Sequence, residues 1–245
     1  MEKTEMIYGT RAVMEAVLAG KEIEKVMIQT GLANDLIKEL MGVLRTNNIP
    51  MSFVPLEKLK RLSAKNHQGV ICLLSSVAYA SLDNIIDKAF SEGREPFILL
   101  LDRITDVRNF GAIVRTAECA GMDCIVVADK GSALITGDAM KTSAGALNHL
   151  PICRDDLKKT IQFLHDSGVR VVACTEKAEQ TLHQVALTGP MAILMGSEED
   201  GISDVLLRHA DDLAKIPMRG KIGSLNVSVA AGVAIYEVVR QRNIV

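Results

Sequence analysis

Residues 97–121, FILLLDRITDVRNFGAIVRTAECAG, decide the fold class. Phe97–Leu101 is an unbroken apolar run of strand length, the pattern of a strand buried on both faces. Asp102 ends it, a polar turn follows, and Asn109 is placed to cap a helix that begins near Phe110 and closes at Gly121. A buried strand feeding a helix is the repeating unit of a parallel α/β sheet. The unit recurs downstream. Further strands are expected at Cys124–Ala128, Arg170–Cys174 and Ala192–Met195, with a short one ending at Pro217. Helices are expected at Asp155–Ser167, closed by Gly168, and at Val227–Arg242.

Upstream the pattern is finer. Gly9–Leu18 reads as a helix with Ala12, Val13, Ala16 and Val17 on one face, and Lys25–Gln29 as a short strand. Asn34–Thr46 repeats Leu36, Ile37, Leu40 and Leu44 at helical spacing, and GVICLLSSV (69–77) is a strong strand. These elements make a small α/β domain over 1–78. Residues 79–95 read as a linker in which Ser81 or Asp83 caps a helix ending near Gly93. The larger α/β domain then spans 96–245.

Composition narrows the chemistry. Aromatics make up 3% of the chain and apolar residues 48%, so the core must be aliphatic. No apolar stretch reaches the length of a membrane span, and MEKTEMIYGT has no apolar signal-peptide core, which points to the cytoplasm. The five cysteines form no C-x-x-C pair and read as buried reduced thiols. The five histidines lack ligand spacing, so no metal is expected, and they read as surface or loop residues. There is no G-x-G-x-x-G, no phosphate-binding G-x-x-x-x-G-K-S/T and no G-x-S-x-G. The net charge of -2 counts against nucleic-acid binding by bulk electrostatics, so any contact with RNA must come from local basic patches.

Three stretches concentrate polar residues where α/β sheets bind ligands, at strand ends. The first carries Asn109 and Arg115; these are equally an ordinary cap and a solvated helix charge. The second is AILMGSEEDGIS (192–203), an aliphatic strand ending at Gly196 and followed by acids and Gly201. Its glycines allow a ligand close to the backbone, or simply make a tight turn. The third is AKIPMRGKIGSLNVSVAAGVAIYEVVRQR (214–242), where Ser224, Asn226 and Ser228 crowd one helix start beyond what capping requires.

Taken together, N-F-G-A-I-V-R-T (109–116), G-S-E-E-D-G (196–201) and I-P-M-R-G-K-I-G-S-L-N-V-S (216–228) resemble the SpoU class of RNA 2′-O-ribose methyltransferases, the TrmH family of the SPOUT superfamily. The resemblance covers about Pro96–Arg242. Y-G-T-R-A-V-M-E-A (8–16) and H-Q-G-V (67–70) also resemble the N-terminal substrate-binding domain of one branch, which includes an enzyme methylating a guanosine ribose of bacterial large-subunit ribosomal RNA.

That resemblance implies a deep trefoil knot, contrary to the general rule for chain topology. It implies S-adenosylmethionine held at Thr175, Met195, Gly196, Gly201, Ile216, Met218, Leu225 and Asn226. It places Asn109, Arg115, Glu198, Ser224 and Asn226 around the reacting hydroxyl. It also implies a homodimer, with the first motif's helix and the last helix near the interface. For RNA the local basic candidates are Lys58, Lys60, Arg61 and Lys65, with Arg11 and Arg108; the first four are equally a solvated helix face. Ribosomal RNA is the expected substrate. The alternatives are a transfer-RNA 2′-O-methyltransferase of the same class and a non-catalytic RNA-binding or assembly factor.

Overall fold

The computed structural model describes residues 5–242. The chain divides into two compact units, one reaching to Ala78 and taking in Leu134–Asp138, the other comprising Tyr79–Ala133 and the chain from Ala139 onward.

The first unit contains β1 (Met6–Tyr8), α1 (Thr10–Leu18), β2 (Ile23–Gln29), α2 (Asp35–Thr46), β3 (Met51–Val54), α3 (Leu56–Leu62) and β4 (Val70–Leu74). Its sheet runs β1-β4-β2-β3, with β2 and β3 parallel and the other pairs antiparallel. Period-two alternation sorts β2: Val26 and Ile28 pack with Val13, Val17, Leu40 and Leu44 of α1 and α2, while Met27 joins Leu59 of α3 in a second cluster. The buried face of α1 is Thr10, Val13, Ala16 and Val17; Ala12, expected inside, is exposed. Asn34 caps α2, its side chain accepting from the Ile37 N–H at 2.9 Å. His67 lies in the loop before β4, one of the two settings expected, but is buried there, and its Nδ1 accepts from the Gly69 N–H at 3.0 Å. Gly69 has φ +80° and a Cβ there would stand 2.7 Å from Leu32 Cδ2, so this turn needs glycine.

Beyond Ala78 the order is α4 (Leu82–Ser91), β5 (Phe97–Leu101), α5 (Val107–Cys119), β6 (Cys124–Ala128), α6 (Gly137–Thr142), β7 (Ile152–Asp155) and α7 (Leu157–Asp166). There follow β8 (Arg170–Cys174), β9 (Met191–Met195), α8 (Asp204–Leu207), β10 (Asp212–Ala214) and α9 (Val227–Gln241). The segment read as a linker carries α4, capped by Ser81, and Ile86 packs into the core of the second unit. Six strands pair in parallel in the order β10-β8-β9-β5-β6-β7. β5 and β9 are buried at every position, as their aliphatic runs require. From β5 the chain steps to β6 and β7, and later β8 and β9 return on β5's other side. The order therefore reverses between β5 and β9, and ligands of open α/β sheets bind at the C-terminal ends of strands near such a reversal.

Two boundaries differ from expectation at the point that matters. Helix α5 begins at Val107, capped by the Asp106 carboxylate, so Asn109 lies inside its first turn and does not cap it. The last short strand ends at Ala214, leaving Ile216–Met218 in the following loop. Helix α9 packs against α5 and β9 through Val227, Ala231, Ala234, Ile235 and Val238. Glu237 is buried beside that face, accepting from Arg240 and Gln241 and facing His183 Nδ1 at 3.3 Å. These donors, Arg240 foremost, hold its carboxyl down at about 2.

The five cysteines are free; Cys72, Cys124 and Cys153 are buried as expected, whereas Cys119 is exposed on α5. Among the described residues no helix is long and apolar enough to cross a membrane.

Candidate functional site

A cavity of about 300 Å³ lies at the C-terminal ends of β8 and β9, within the size range of small-molecule sites. Its walls are loop 174–176, loop 195–201, loop 216–225 and the first turns of α9. Thr175, Met195, Gly196, Gly201, Ile216, Met218 and Leu225 all line it, as do Glu198 and Ser224. Asn226 does not; its neighbours Leu225 and Val227 do.

Asn226 has another task. Its Oδ1 caps α9, accepting from the N–H groups of Ser228 at 3.0 Å and Val229 at 3.4 Å, and from the Ser228 hydroxyl. Its Nδ2 faces the other way and donates to Asn109 Oδ1 at 3.0 Å and to Glu198 Oε1 at 2.6 Å. Glu198 Oε1 accepts a further bond from the Val227 N–H at 3.1 Å, so a carboxylate sits at the N-terminal end of α9, where the helix dipole favours negative charge. One residue thereby ties together the first turn of α5, the acidic turn after β9 and the start of the last helix.

The remaining expected residues separate from this group. Ser224 is exposed and makes no hydrogen bond to it among the described residues. Arg115 is exposed on α5, with no hydrogen-bond or ion-pair partner among the described residues. Arg108 stands exposed two turns earlier on that helix. In the first unit Lys58, Lys60 and Arg61 are exposed on α3, and Arg11 is exposed on α1. Exposed Lys65 lies with Nζ 5.1 Å from the centroid of the Tyr8 ring.

The acidic turn is unusually tight. Ser197 and Gly201 exchange backbone hydrogen bonds, at 3.2 Å and 3.0 Å. Gly201 has φ +66°, and a Cβ on Gly196 would stand 2.1 Å from the Gly201 carbonyl carbon. Together with Glu176, the turn brings Glu198, Glu199 and Asp200 to the cavity beside apolar Met195, Ile216, Leu225 and Val227. That lining suits a ligand with an apolar ring system and a positive charge. Cys174 also lines the cavity, but burial pushes its thiol up to about 12, so it offers no thiolate nucleophile near neutral pH. Glu176 carries no local sequence signal and was not expected here; Glu199 and Val227 lie within the stretches 196–201 and 216–228 but do not stand out there as site residues. Among the described residues no group of three or more His, Cys, Asp or Glu is placed to hold a metal ion.

Residues 96–236 match the SpoU rRNA Methylase family, and residues 6–80 match the RNA 2′-O ribose methyltransferase substrate binding domain. A Bacillus subtilis protein assigned to the TrmH family of tRNA/rRNA methyltransferases is 31% identical over 243 residues, covering 99% of this chain and 98% of that protein. An uncharacterized tRNA/rRNA methyltransferase of Synechocystis sp. is 34% identical over 244 residues; the match covers 98% of this chain and 64% of that longer protein. The SpoU methyltransferase AviRb from Streptomyces viridochromogenes, solved in complex with the cofactor AdoMet, superposes with a TM-score of 0.61 at 26% identity, covering 98% of this chain and 91% of that one.

Proposed function

The chain belongs to the SpoU rRNA methylase family of RNA 2′-O-ribose methyltransferases, and on that premise we propose that it takes its methyl group from S-adenosylmethionine and acts on large-subunit ribosomal RNA in the cytoplasm, at a guanosine. The observation that carries the reading is the bridge from Asn226 to Asn109 and Glu198 beside a cavity with acidic and apolar walls. The lining fits the donor's chemistry. Met195, Ile216 and Leu225 suit an adenine, and the carboxylates of the 198–200 turn suit a sulfonium charge. Thr175, Gly196, Gly201 and Met218 complete that wall. S-adenosylmethionine bound there would supply an electrophilic methyl group on a sulfonium whose leaving group is a neutral thioether.

The protein's share is to prepare the other reactant. A ribose 2′-hydroxyl is a weak nucleophile until its proton departs or its developing negative charge is stabilised. A guanidinium stays protonated in proteins, so Arg115 serves as a cation: it holds an RNA phosphate and stabilises the forming alkoxide. Its lack of a partner within the described chain leaves its donors available for this. Asn226, itself bonded to Asn109, and the Val227 N–H fix Glu198, the nearby group able to take the proton directly or through water. Ser224, exposed on the loop wall, is assigned to the RNA side of the cavity. Lys58, Lys60, Arg61 and Lys65, with Arg11 and Arg108, supply the phosphate contacts that an overall charge of -2 does not.

The trefoil knot belongs to this reading. Its support is that the chain, after β10 at one sheet edge, passes through loop 216–225 and returns as α9 to pack on β9 and α5. A homodimer belongs to it as well. Val229, Val233 and Tyr236 form an exposed apolar stripe on α9, 52%, 39% and 49% exposed, at the spacing of one helix face. A second copy of this chain covers that stripe. Val233→Asp combined with Tyr236→Asp is expected to halve the mass measured by light scattering, and a wild-type mass that is already monomeric would sink the dimer.

The test of the reaction is methyl transfer from labelled S-adenosylmethionine to separated ribosomal and transfer RNAs. Label is expected as a 2′-O-methylnucleoside in large-subunit RNA. Arg115→Ala should lower turnover by about 100-fold or more with an unchanged melting midpoint, because the side chain is exposed. Near-full turnover of Arg115→Lys would remove the role given to the guanidinium fork. Label in transfer RNA alone keeps the chemistry and moves the substrate.

A further inference from the structure

Arg103, the second residue after β5, stands in the left-handed region with φ 57°, where a residue bearing Cβ is strained. A glycine would relax that backbone, yet the position carries a long side chain whose three nitrogens are all engaged around the acidic turn. Nε donates to Asp102 Oδ1 at 3.2 Å and Nη2 to Asp102 Oδ2 at 3.3 Å. Nη2 also donates to the Gly201 carbonyl at 3.1 Å, and Nη1 to Asp200 Oδ2 at 3.1 Å. Asp102 is buried and its Oδ2 accepts from the Ser203 N–H at 2.8 Å. The Arg103 stem passes over Gly131, where an added Cβ would come 3.4 Å from its Cγ.

These contacts form one truss. Asp102 holds the exit of the turn at Ser203, and Arg103 holds Asp200 and Gly201 inside it; both are anchored to the end of a fully buried strand. The same turn carries Glu198 to Asn226 and forms one wall of the cavity. Without the guanidinium, Asp200 and the Gly201 carbonyl would lose their tie to Asp102 and the end of β5.

We propose that Arg103 is a positioning residue, a latch that closes the Ser197–Gly201 turn over the methyl-donor cavity and so sets the affinity of that pocket. The latch stands on the contacts above; its effect on affinity rests on the cofactor reading of the cavity. Two variants separate latch from fold, because both accept a left-handed backbone and lack the fork: Arg103→Gly and Arg103→Asn. Hydrogen exchange on ligand-free protein reads the latch directly, at the Ser197 and Gly201 amides that bond to each other across the turn. Both variants should exchange there about tenfold faster, with β5 and β9 protection retained and no fall in melting midpoint. Calorimetric titration with S-adenosylmethionine should show a Kd about tenfold weaker. Unchanged exchange at Ser197 and Gly201 overturns the latch. Faster exchange with unchanged Kd overturns its role in the pocket, as does a melting midpoint that falls in step with Kd. Absence of binding by the wild-type protein overturns the reading of the cavity, and leaves the exchange result to judge the latch.

Discussion

Asn226→Asp is expected to abolish most methyl transfer while leaving α9 capped. An aspartate caps a helix as well as an asparagine does, so the bonds from the Ser228 and Val229 N–H groups survive the change. The amide nitrogen does not. Where Nδ2 donates to Glu198 Oε1 at 2.6 Å, the variant sets a second carboxylate against the first, and the bond to Asn109 Oδ1 is lost with it. Two carboxylates at that distance cannot both ionise. At neutral pH they separate and the acidic turn moves off the helix. The expected loss of turnover at pH 7.5 is about 100-fold or more, the scale of removing one preorganised polar contact from an active site. The sign of the pH effect follows. Mutual repulsion raises the pair's affinity for a proton, a shared proton restores the contact, and the deficit relative to wild type should shrink as pH falls. Adding Glu198→Gln supplies a donor to the new carboxylate and should recover the melting midpoint and cofactor affinity. Turnover that stays at the floor in the double variant would assign the proton to Glu198. Retention of more than about a tenth of wild-type turnover by Asn226→Asp would remove the bridge from the mechanism.

How far such a bridge can be read in a sequence depends on which of its parts are local. β5 and β9 are legible because strands buried on both faces must be aliphatic throughout. The cavity walls are legible as stretches because glycines and polar residues gather at those strand ends. The bridge itself joins Asn226 to residues 117 and 28 positions away; the crowding of Ser224, Asn226 and Ser228 signals a use beyond capping, but nothing local names the partners. Asn109 shows the same limit in reverse. It is a cap-type residue before an apolar run, but Asp106 lies three residues earlier and its carboxylate takes the first N–H groups of α5. That frees Asn109 to face Asn226. β1 and β3, of three and four residues, are too short for periodicity to reveal. Ala12 faces solvent because Thr10 takes the inner position at the start of α1. Arg103 and Glu176 have no signature at all: each gains its place only when the turn after β9 folds onto β5 and β8.

That turn is also where the smallest substitution should do the most damage. Gly196→Ala adds one methyl group at a residue without positive φ, so the backbone itself is not the obstacle. Its neighbours are. The new Cβ would lie 2.1 Å from the Gly201 carbonyl carbon, 2.2 Å from the Ile202 nitrogen and 2.4 Å from the Gly201 oxygen, all of them main-chain atoms that no rotamer change can clear. To make room, the Ser197–Gly201 pairing must break, and the Gly201 carbonyl must leave Arg103. Ile202, buried in the core of the sheet, is drawn outward with it. Overpacking with no flexible partner is expected to cost about 3 kcal/mol or more, lowering the melting midpoint by on the order of 10 °C. S-adenosylmethionine affinity should fall further than stability does, because the displaced atoms are the wall of the cavity. Gly223→Ala is the control: that glycine also lines the cavity, but nothing lies within 4 Å of the added methyl. It should melt like the wild type and change affinity only by what the methyl meets on the ligand. If Gly196→Ala melted and bound like Gly223→Ala, the turn after β9 would have slack to spare. Neither Arg103 nor Asn226 would then be needed to hold it closed.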